Sequence, residues 1–546
     1  MADAPVSPGN APERAAPADV APLPAPAVWR PQFNPWLIAV VVALAAFMEV
    51  LDTSIANVAL PYMAGSLGAS NDQSTWVLTS YLVSNAIVLP ISGWFASALG
   101  RKRFFMTCLV IFTVSSVLCG FAPSLGAIIF FRILQGAGGG GLQPMAQAIL
   151  ADVFPPEERG LAFALYGVTA IIAPTIGPTL GGWITDNYSW RWIFFINVPV
   201  GILTLLLVYR LVDDPPWGKR AAGGTLKFDY MGLSLLSLGV GALQVMLDKG
   251  QEDDWFGSHF ITTLMILAAV GLVSFVLWEW FCKRPIVDVH LFKNINFLSA
   301  SGMMFVLGIL LFSSLVMMPL FLQSLMGYTA ESAGLVLSGG GVLLLILMPV
   351  VGILSGKVQA RYLIAFGWVT LSIGMYISSQ QLDLQMSFMS ASILRLFQVF
   401  GLGFLFVPIN LASYVGMPAE KSNSVAGLIN FMRNIGSSVG TSMVTTLIER
   451  RAQVHENYLV AHVARGGPSF LSQVAGLTAR LIASGVNAER AAQQAYGLIF
   501  QNVIAQATTL AYIDTFLVLA AGAGIMFVLS FGLKKNQPGR GRVVLE

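Results

Sequence analysis

The chain has 546 residues, of which 56% are hydrophobic and 10% charged, with a formal net charge of +3 and a mean hydropathy of +0.73. Soluble proteins carry about 25% charged residues, so the composition excludes a soluble domain and predicts an integral membrane protein. A net charge this small, spread over many loops, gives no basis for nucleic-acid binding. Cys108, Cys119 and Cys282 fall in or beside apolar runs without paired spacing, which argues against a disulfide framework.

Residues 1–35 contain nine prolines and no basic region leading into an apolar run, so they predict a disordered tail and not a cleaved signal. Apolar runs of about 20 residues, enough to cross a bilayer as helix, then recur fourteen times. They cover 36–60, 76–97, 104–121, 126–150, 161–185, 192–212, 229–247, 260–281, 297–322, 332–355, 362–380, 388–412, 425–448 and 511–533. The fold class predicted is all-α and membrane-integral, and an even count puts both termini on one side. Of the thirty Lys and Arg, twenty fall on that side, among them Arg101, Lys102, Arg103, Lys534 and Lys535. Only Arg191 and Lys249 fall in the short loops opposite, so both termini are expected in the cytoplasm. The segment 449–510, which holds five more arginines, is too long to count in that rule; its apolar spacing predicts a helical hairpin on the outer side.

The first span carries two acids, Glu49 and Asp52, within FMEVLDTSIANVA. Each costs roughly 2.5–3.5 kcal/mol on insertion scales, and three-residue spacing puts them one turn apart on one helix face. Such a pair in low dielectric is a candidate proton carrier; the competing reading is a structural carboxylate satisfied by Asn57 or a serine. Three arginines, Arg132, Arg395 and Arg433, also fall within spans. Arg433, eight residues into the thirteenth span, is expected to snorkel to the interface. Asp514 and Glu279, near span ends, read as capping or interfacial residues.

The chain repeats itself. RILQGAGGGGLQP at 132–144 shares Arg-x-x-Gln-x-x-Gly-x-Gly with RLFQVFGLGFLFVP at 395–408, an offset of 263 residues, and Pro90-x-x-Gly93 recurs as Pro349-x-x-Gly352 at an offset of 259. Spans 2 and 4 thus recur as spans 10 and 12, which predicts two six-span halves with two spans inserted. The domains expected are a tail 1–35, an N-terminal half 36–212, a linker with two inserted spans 213–296, a C-terminal half 297–533 that includes 449–510, and a tail 534–546. Parallel repeats of this kind are a transporter architecture with the substrate site between the halves.

LDTSIANVALP (52–61), GWFASALGRKRFF (93–105), RILQGAGGGG (132–141) and APTIGPTLGG (173–182) resemble, in order and spacing, the signature motifs of the major facilitator superfamily. With fourteen spans and LQVMLDKGQEDDWF at 243–256, the chain is similar to its drug:proton antiporters of the EmrB and QacA type. The resemblance implies a major facilitator fold, Asp52 as the embedded coupling acid and Arg132 as the helix-4 arginine of proton transfer; Glu49 is added from its position, since the family usually has no acid there. Asp52 and Arg132 lie eight and six residues from the outer ends of their spans, about 12 and 9 Å at 1.5 Å per residue, hence at similar depth. Exchange follows if proton and substrate each displace the other from one acid.

By the same resemblance Pro174, Gly177, Pro178, Gly181 and Gly182 form an antiporter motif, a close and bent helix pair expected to seal the cytoplasmic half. Gly93, Gly100, Arg101 and Lys102 form a cytoplasmic gate loop, in which Ser97 replaces the family's common acid; Arg101 must then pair elsewhere, with Asp152 or Glu157 as candidates. Expected to line a substrate cavity are Asn57, Gln135, Arg395, Gln398, Trp76 and Phe305, with Phe47, Met48, Met304 and Phe404 as further apolar candidates.

No GxxxxGK[ST] occurs, the four histidines are scattered, and no nucleophile–base pair is supported by motif, so the expectation is no enzyme, no metal and no cofactor, with energy from a proton gradient. The function expected is proton-coupled efflux of small amphipathic or hydrophobic compounds across a bacterial inner membrane. Alternatives are an exporter of one metabolite or lipid-like compound, a proton-coupled importer, or a non-transporting receptor or scaffold. Resemblance alone adds a periplasmic membrane-fusion adaptor and an outer-membrane channel as partners, against a plain extracytoplasmic cap for 449–510.

Overall fold

The computed structural model describes residues 31–214, 228–462 and 467–534. Most of the N-terminal tail, all but the first residue of the C-terminal tail and the middle of the first linker loop lie outside the described residues. Every regular element described is helical. The long helices are α1 (Pro35–Leu67), α2 (Trp76–Leu99), α3 (Arg101–Gly120), α4 (Leu125–Val153), α5 (Arg159–Asn187), α6 (Asn197–Leu211), α7 (Tyr230–Lys249) and α8 (His259–Phe281). They continue with α9 (Ile295–Ser324), α10 (Ala330–Ser355), α11 (Ala360–Gln381), α12 (Phe388–Ser413), α13 (Ser422–His462) and α14 (Ala488–Ser530).

Local chemistry sets the ends of these helices. Asn34, Ser124, Asn294, Thr329 and Ser387 cap α1, α4, α9, α10 and α12, each accepting a first-turn backbone N–H on its side-chain oxygen. Pro35 at the first turn of α1 and Gly68 beyond its end, at φ +64°, fix where that helix starts and stops.

Thirteen of the described helices are long and apolar enough to cross a membrane. The predicted thirteenth span, 425–448, falls outside that group: it lies within α13, 41 residues long, which carries Asn430, Arg433, Asn434, Ser437 and Ser438 on the way. The hairpin expected at 449–510 is present in its second part, where the helix Pro468–Ala483 packs back on the start of α14 and Phe470 meets Tyr496. The α13 helix runs on to His462, a separate helix covers Pro468–Ala483, and α14 begins at Ala488 and runs unbroken into its apolar stretch.

Within the first half α1 packs on α5, and α4 packs between α2 and α3; in the second, α9 packs on α13 and α11 on both α12 and α14. The glycine run of α4 permits this closeness. A β-carbon on Gly138 would stand 2.6 Å from the Phe112 backbone nitrogen of α3, and one on Gly140 would stand 2.7 Å from the Asn85 carbonyl oxygen of α2. The halves meet where α5 packs on α10 and α12, and where α2 and α4 pack on α13. Between these groups in the chain, α7 and α8 pack on each other, and α7 touches both sides: Asp248 accepts from Thr79 of α2, while Gln244 donates to Ser438 of α13 at 2.8 Å.

Candidate functional site

Asp52 and Arg132 meet inside the first half. The guanidinium donates from Nη1 to Asp52 Oδ2 at 2.5 Å and from Nε to the Val77 carbonyl at 3.1 Å. Asp52 Oδ1 accepts from Gln135 Nε2 at 2.9 Å and from Asn197 Nδ2 at 2.6 Å. Gln135, one turn along α4 from Arg132, also accepts from the guanidinium at 2.9 Å, so the pair and the amide form one closed unit. The Arg132 guanidinium lies 4.2 Å from the centre of the Tyr81 ring. Asp52 and Arg132 are 2% and 0% exposed, so neither charge is solvated from outside.

The asparagine amide beside Asp52 is that of Asn197 and not that of Asn57. Asn57 is exposed and turned away from Asp52, because five residues at about 100° each carry it roughly 140° around the helix. The amide that Asp52 needs comes from the first turn of α6, where Asn197 also donates to Ser116 at 3.1 Å.

Glu49 belongs to a different set of partners. Its Oε1 accepts from Tyr81 at 3.2 Å and Asn85 at 2.9 Å, and its Oε2 accepts from Gln143 Nε2. Gln143 Oε1 in turn accepts from Tyr166 at 3.1 Å and from Arg433 of α13. Arg433, expected to snorkel outward, is 9% exposed and turned into the bundle. Tyr81 joins the two acids, with its hydroxyl on Glu49 and its ring beside Arg132. Gly139 makes the room: a β-carbon there would stand 2.5 Å from the Tyr81 hydroxyl and 3.3 Å from Glu49 Cγ.

The second half repeats the arginine unit without its acid. Arg395 Nη1 donates to Gln398 at 3.2 Å and Ser314 at 3.1 Å, and Gln398 donates to Ser378 at 2.9 Å. Ser314 stands at an offset of 262 from Asp52. Arg395 is 2% exposed and its Nε has no hydrogen-bond partner among the described residues; its side chain is enclosed within the second half. Ser314→Asp is therefore expected to raise the midpoint of thermal unfolding in detergent, because it supplies the carboxylate that a buried guanidinium lacks. Ser314→Ala is expected to lower it slightly, by the loss of one hydrogen bond of about 1 kcal/mol.

Other cavity candidates are enclosed or capped. Met48 and Met304 are each 1% exposed in the core, Phe47 packs against an apolar cluster that includes Leu51 and Ile55, and Phe404 packs edge-on against Phe366 and tilted against Phe400. Trp76 has the Lys249 ammonium 5.8 Å from its ring centre. Half-buried Phe305 lies at the crossing of α9 with α13, where a β-carbon on Gly436 would fall on its carbonyl oxygen.

The antiporter-motif glycines pack inside the first half. A β-carbon on Gly177 would fall on the Ser54 hydroxyl, which itself donates to the Pro174 carbonyl at 3.2 Å, and one on Gly181 would stand 3.1 Å from Ile55. They fasten α5 to α1 just beyond Asp52, in the half of the bundle away from Arg101, and so do not make the seal that the sequence suggested. Pro178 lies one residue after Gly177 within the helix, and Gly182 has open space around it.

At the Arg101 end the gate residues bridge the halves. Arg101 pairs with Asp152 and donates to Ser422 at 3.2 Å, so Asp152 serves where Ser97 cannot; Ser97 donates back to the Gly93 carbonyl at 2.9 Å. A β-carbon on Gly93 would stand 2.9 Å from the Ser424 backbone. Gly100 takes φ +86°, and the Lys102 backbone donates to Asp214 at 2.9 Å while its ammonium lies 5.5 Å from the Tyr209 ring centre. Beside them, burial pushes the Tyr414 hydroxyl up, opposed by the nearby Arg101 and Arg159.

The sequence profile described as Major Facilitator Superfamily matches residues 42–441. The chain is 41% identical over 428 residues to a multidrug export protein EmrB of Haemophilus influenzae, covering 78% of this chain and 83% of that one. It is 36% identical over 496 residues to a multidrug export protein EmrB of Escherichia coli strain K12, covering 90% and 93%. Among solved structures, the major facilitator proton:xylose symporter XylE bound to 6-bromo-6-deoxy-D-glucose aligns with a TM-score of 0.58 at 14% identity, over 93% of this chain and 97% of that one. That likeness supports the fold alone. The chain belongs to the major facilitator superfamily and is a multi-pass membrane transporter, not an enzyme.

Proposed function

We propose that this transporter expels small amphipathic or hydrophobic compounds across the bacterial cytoplasmic membrane in exchange for protons. The observation that carries the reading is the enclosed Asp52–Arg132 unit, in which a carboxylate on α1 is held by a fixed guanidinium and two amides. An acid enclosed in this way can exchange a bound proton for another approaching cation. The names of the EmrB relatives support export of drugs. In this reading α13 crosses the membrane as the fourteenth span with its polar residues turned inward, the helices divide six, two and six, and the Arg101 end is cytoplasmic. The proton gradient is the energy source, with no cofactor. The continuation of α13 and α14 beyond their apolar parts is the surface for a periplasmic adaptor leading to an outer-membrane channel.

The test is uptake into everted membrane vesicles under an imposed pH gradient, with tetraphenylphosphonium, a neutral hydrophobic dye and an amphipathic carboxylic acid as probes. Accumulation of at least one probe, abolished when the gradient is collapsed, is the expected result. Accumulation that survives collapse of the gradient, or none for any probe, removes the proton-coupled exporter.

A further inference from the structure

We propose that Gln143 is a positioning residue that transmits the ionisation of Glu49 to the contact between the two halves. The inference rests on the proton-coupled reading above and extends it to residues that carry no proton themselves. Glu49 is faced by Tyr81 and Asn85 from α2, by Gln143 from α4, by Arg433 from α13 beyond that amide, and by Asp52 and Arg132 on the far side of the Tyr81 ring. Tyr166 of α5 reaches the same amide at 3.1 Å. Among these, Gln143 alone touches both Glu49 and a charged residue of the second half.

The donor and acceptor pattern is restrictive. Arginine can only donate, so the Gln143 oxygen must face Arg433, and its NH2 group must then face Glu49. That orientation is satisfied only while the Glu49 oxygen it meets is an acceptor. Oε1 already takes Tyr81 and Asn85, whereas Oε2 takes Gln143 alone, so an arriving proton settles on Oε2 and turns it into a donor. Donor then faces donor.

Rotating the amide by half a turn repairs the contact with Glu49 and turns NH2 toward Arg433. The Tyr166 hydroxyl can reorient to accept; the guanidinium cannot. Arg433, 9% exposed, loses its Gln143 acceptor and keeps the Tyr166 hydroxyl and the Phe406 ring at 5.8 Å, too little to replace the amide oxygen. A buried charge short of partners is costly, so the α4–α13 contact loosens. One turn further along α4, Asn430 donates to Gln147 at 2.8 Å; this uncharged contact has no reason to respond to the proton. The arrangement in hand, with Arg433 engaged, is accordingly that of ionised Glu49, and proton uptake favours separation of the halves at this level.

Spin labels at Ser97 and Lys357, both exposed and on opposite halves at the Arg101 end, report that separation by double electron–electron resonance in lipid nanodiscs, in a background where Cys282 is serine. The native protein is expected to shift toward longer distances as pH falls. Glu49→Gln is expected to hold the low-pH distribution at every pH, because its amide donates as the protonated acid does. Gln143→Met, which keeps the volume and removes the relay, is expected to abolish the pH response with Glu49 intact. Arg433→Gln, whose amide can match either orientation, should do the same and serves if Gln143→Met does not fold. A native-like pH response in either folded variant, or none in the native protein, overturns the proposal. Gradient-driven uptake by the native protein alongside an intact pH response in Gln143→Met removes this inference alone, whereas absent uptake removes the exporter reading beneath it.

Discussion

Asp52→Asn is expected to abolish gradient-driven transport and to destabilise the protein by about 3–5 kcal/mol, the usual cost of leaving one partner of a buried ion pair alone. The asparagine is nearly isosteric, so volume is not the issue. Asp52 Oδ1 accepts two amide donors and Oδ2 accepts the guanidinium. Asparagine offers one oxygen and one NH2, so whichever way it turns, a donor meets a donor, and Arg132 stays buried without a counter-charge. A stability loss alone does not identify a coupling acid, so a second variant is needed. Asp52→Asn combined with Arg132→Met removes the stranded charge and is expected to recover most of the thermal stability while transport stays absent. A double variant that recovers both stability and gradient-driven uptake would show that Asp52 serves only to neutralise Arg132.

The span pattern and the repeated arginine motif are legible in the chain because both are local: apolar runs and a three-residue Arg–Gln spacing need no tertiary information. The similar depth of Asp52 and Arg132 follows from counting residues to the span ends. What pattern reading misses is the partner supplied from far along the chain. Asn197 lies 145 residues from Asp52 on a helix with no other signal, and Arg433 meets Gln143 across 290 residues. Asn57, attractive because it is near, fails on helical phase. The α13 helix falls below the apolar threshold for the physical reason that makes it informative, since its polar side chains serve the interior. Asp152 is legible as one possible partner of Arg101 because the acid missing at Ser97 must be replaced from near the same membrane face.

The repeat also locates the seal between the halves, and this carries the second large expected effect. Pro90-x-x-Gly93 and Pro349-x-x-Gly352 are repeat mates, and each glycine is where its helix touches the opposite half. Gly93 of α2 meets Ser424 of α13, while Gly352 of α10 meets Gly160 of α5, with a β-carbon on Gly352 standing 2.7 Å from the Gly160 carbonyl oxygen. On Gly160 it would fall on the Gly352 carbonyl. Both obstacles are backbone, so no side-chain rotation relieves them and the helices must move apart. Overpacking of this kind costs about 1–3 kcal/mol, which corresponds to roughly a 5- to 150-fold shift toward the separated state. Gly160→Val is expected to raise maleimide labelling of a cysteine at Ser422, buried beside Arg101 in the native protein, by a factor within that range and to abolish gradient-driven uptake. Gly182→Ala, where nothing lies within 4 Å, is expected to leave both unchanged although it belongs to the more conspicuous motif. Equal labelling in Gly160→Val and native protein would mean that the α5–α10 contact does not hold this end closed, leaving the Arg101–Asp152–Ser422 bridge and the Gly93 crossing to do so.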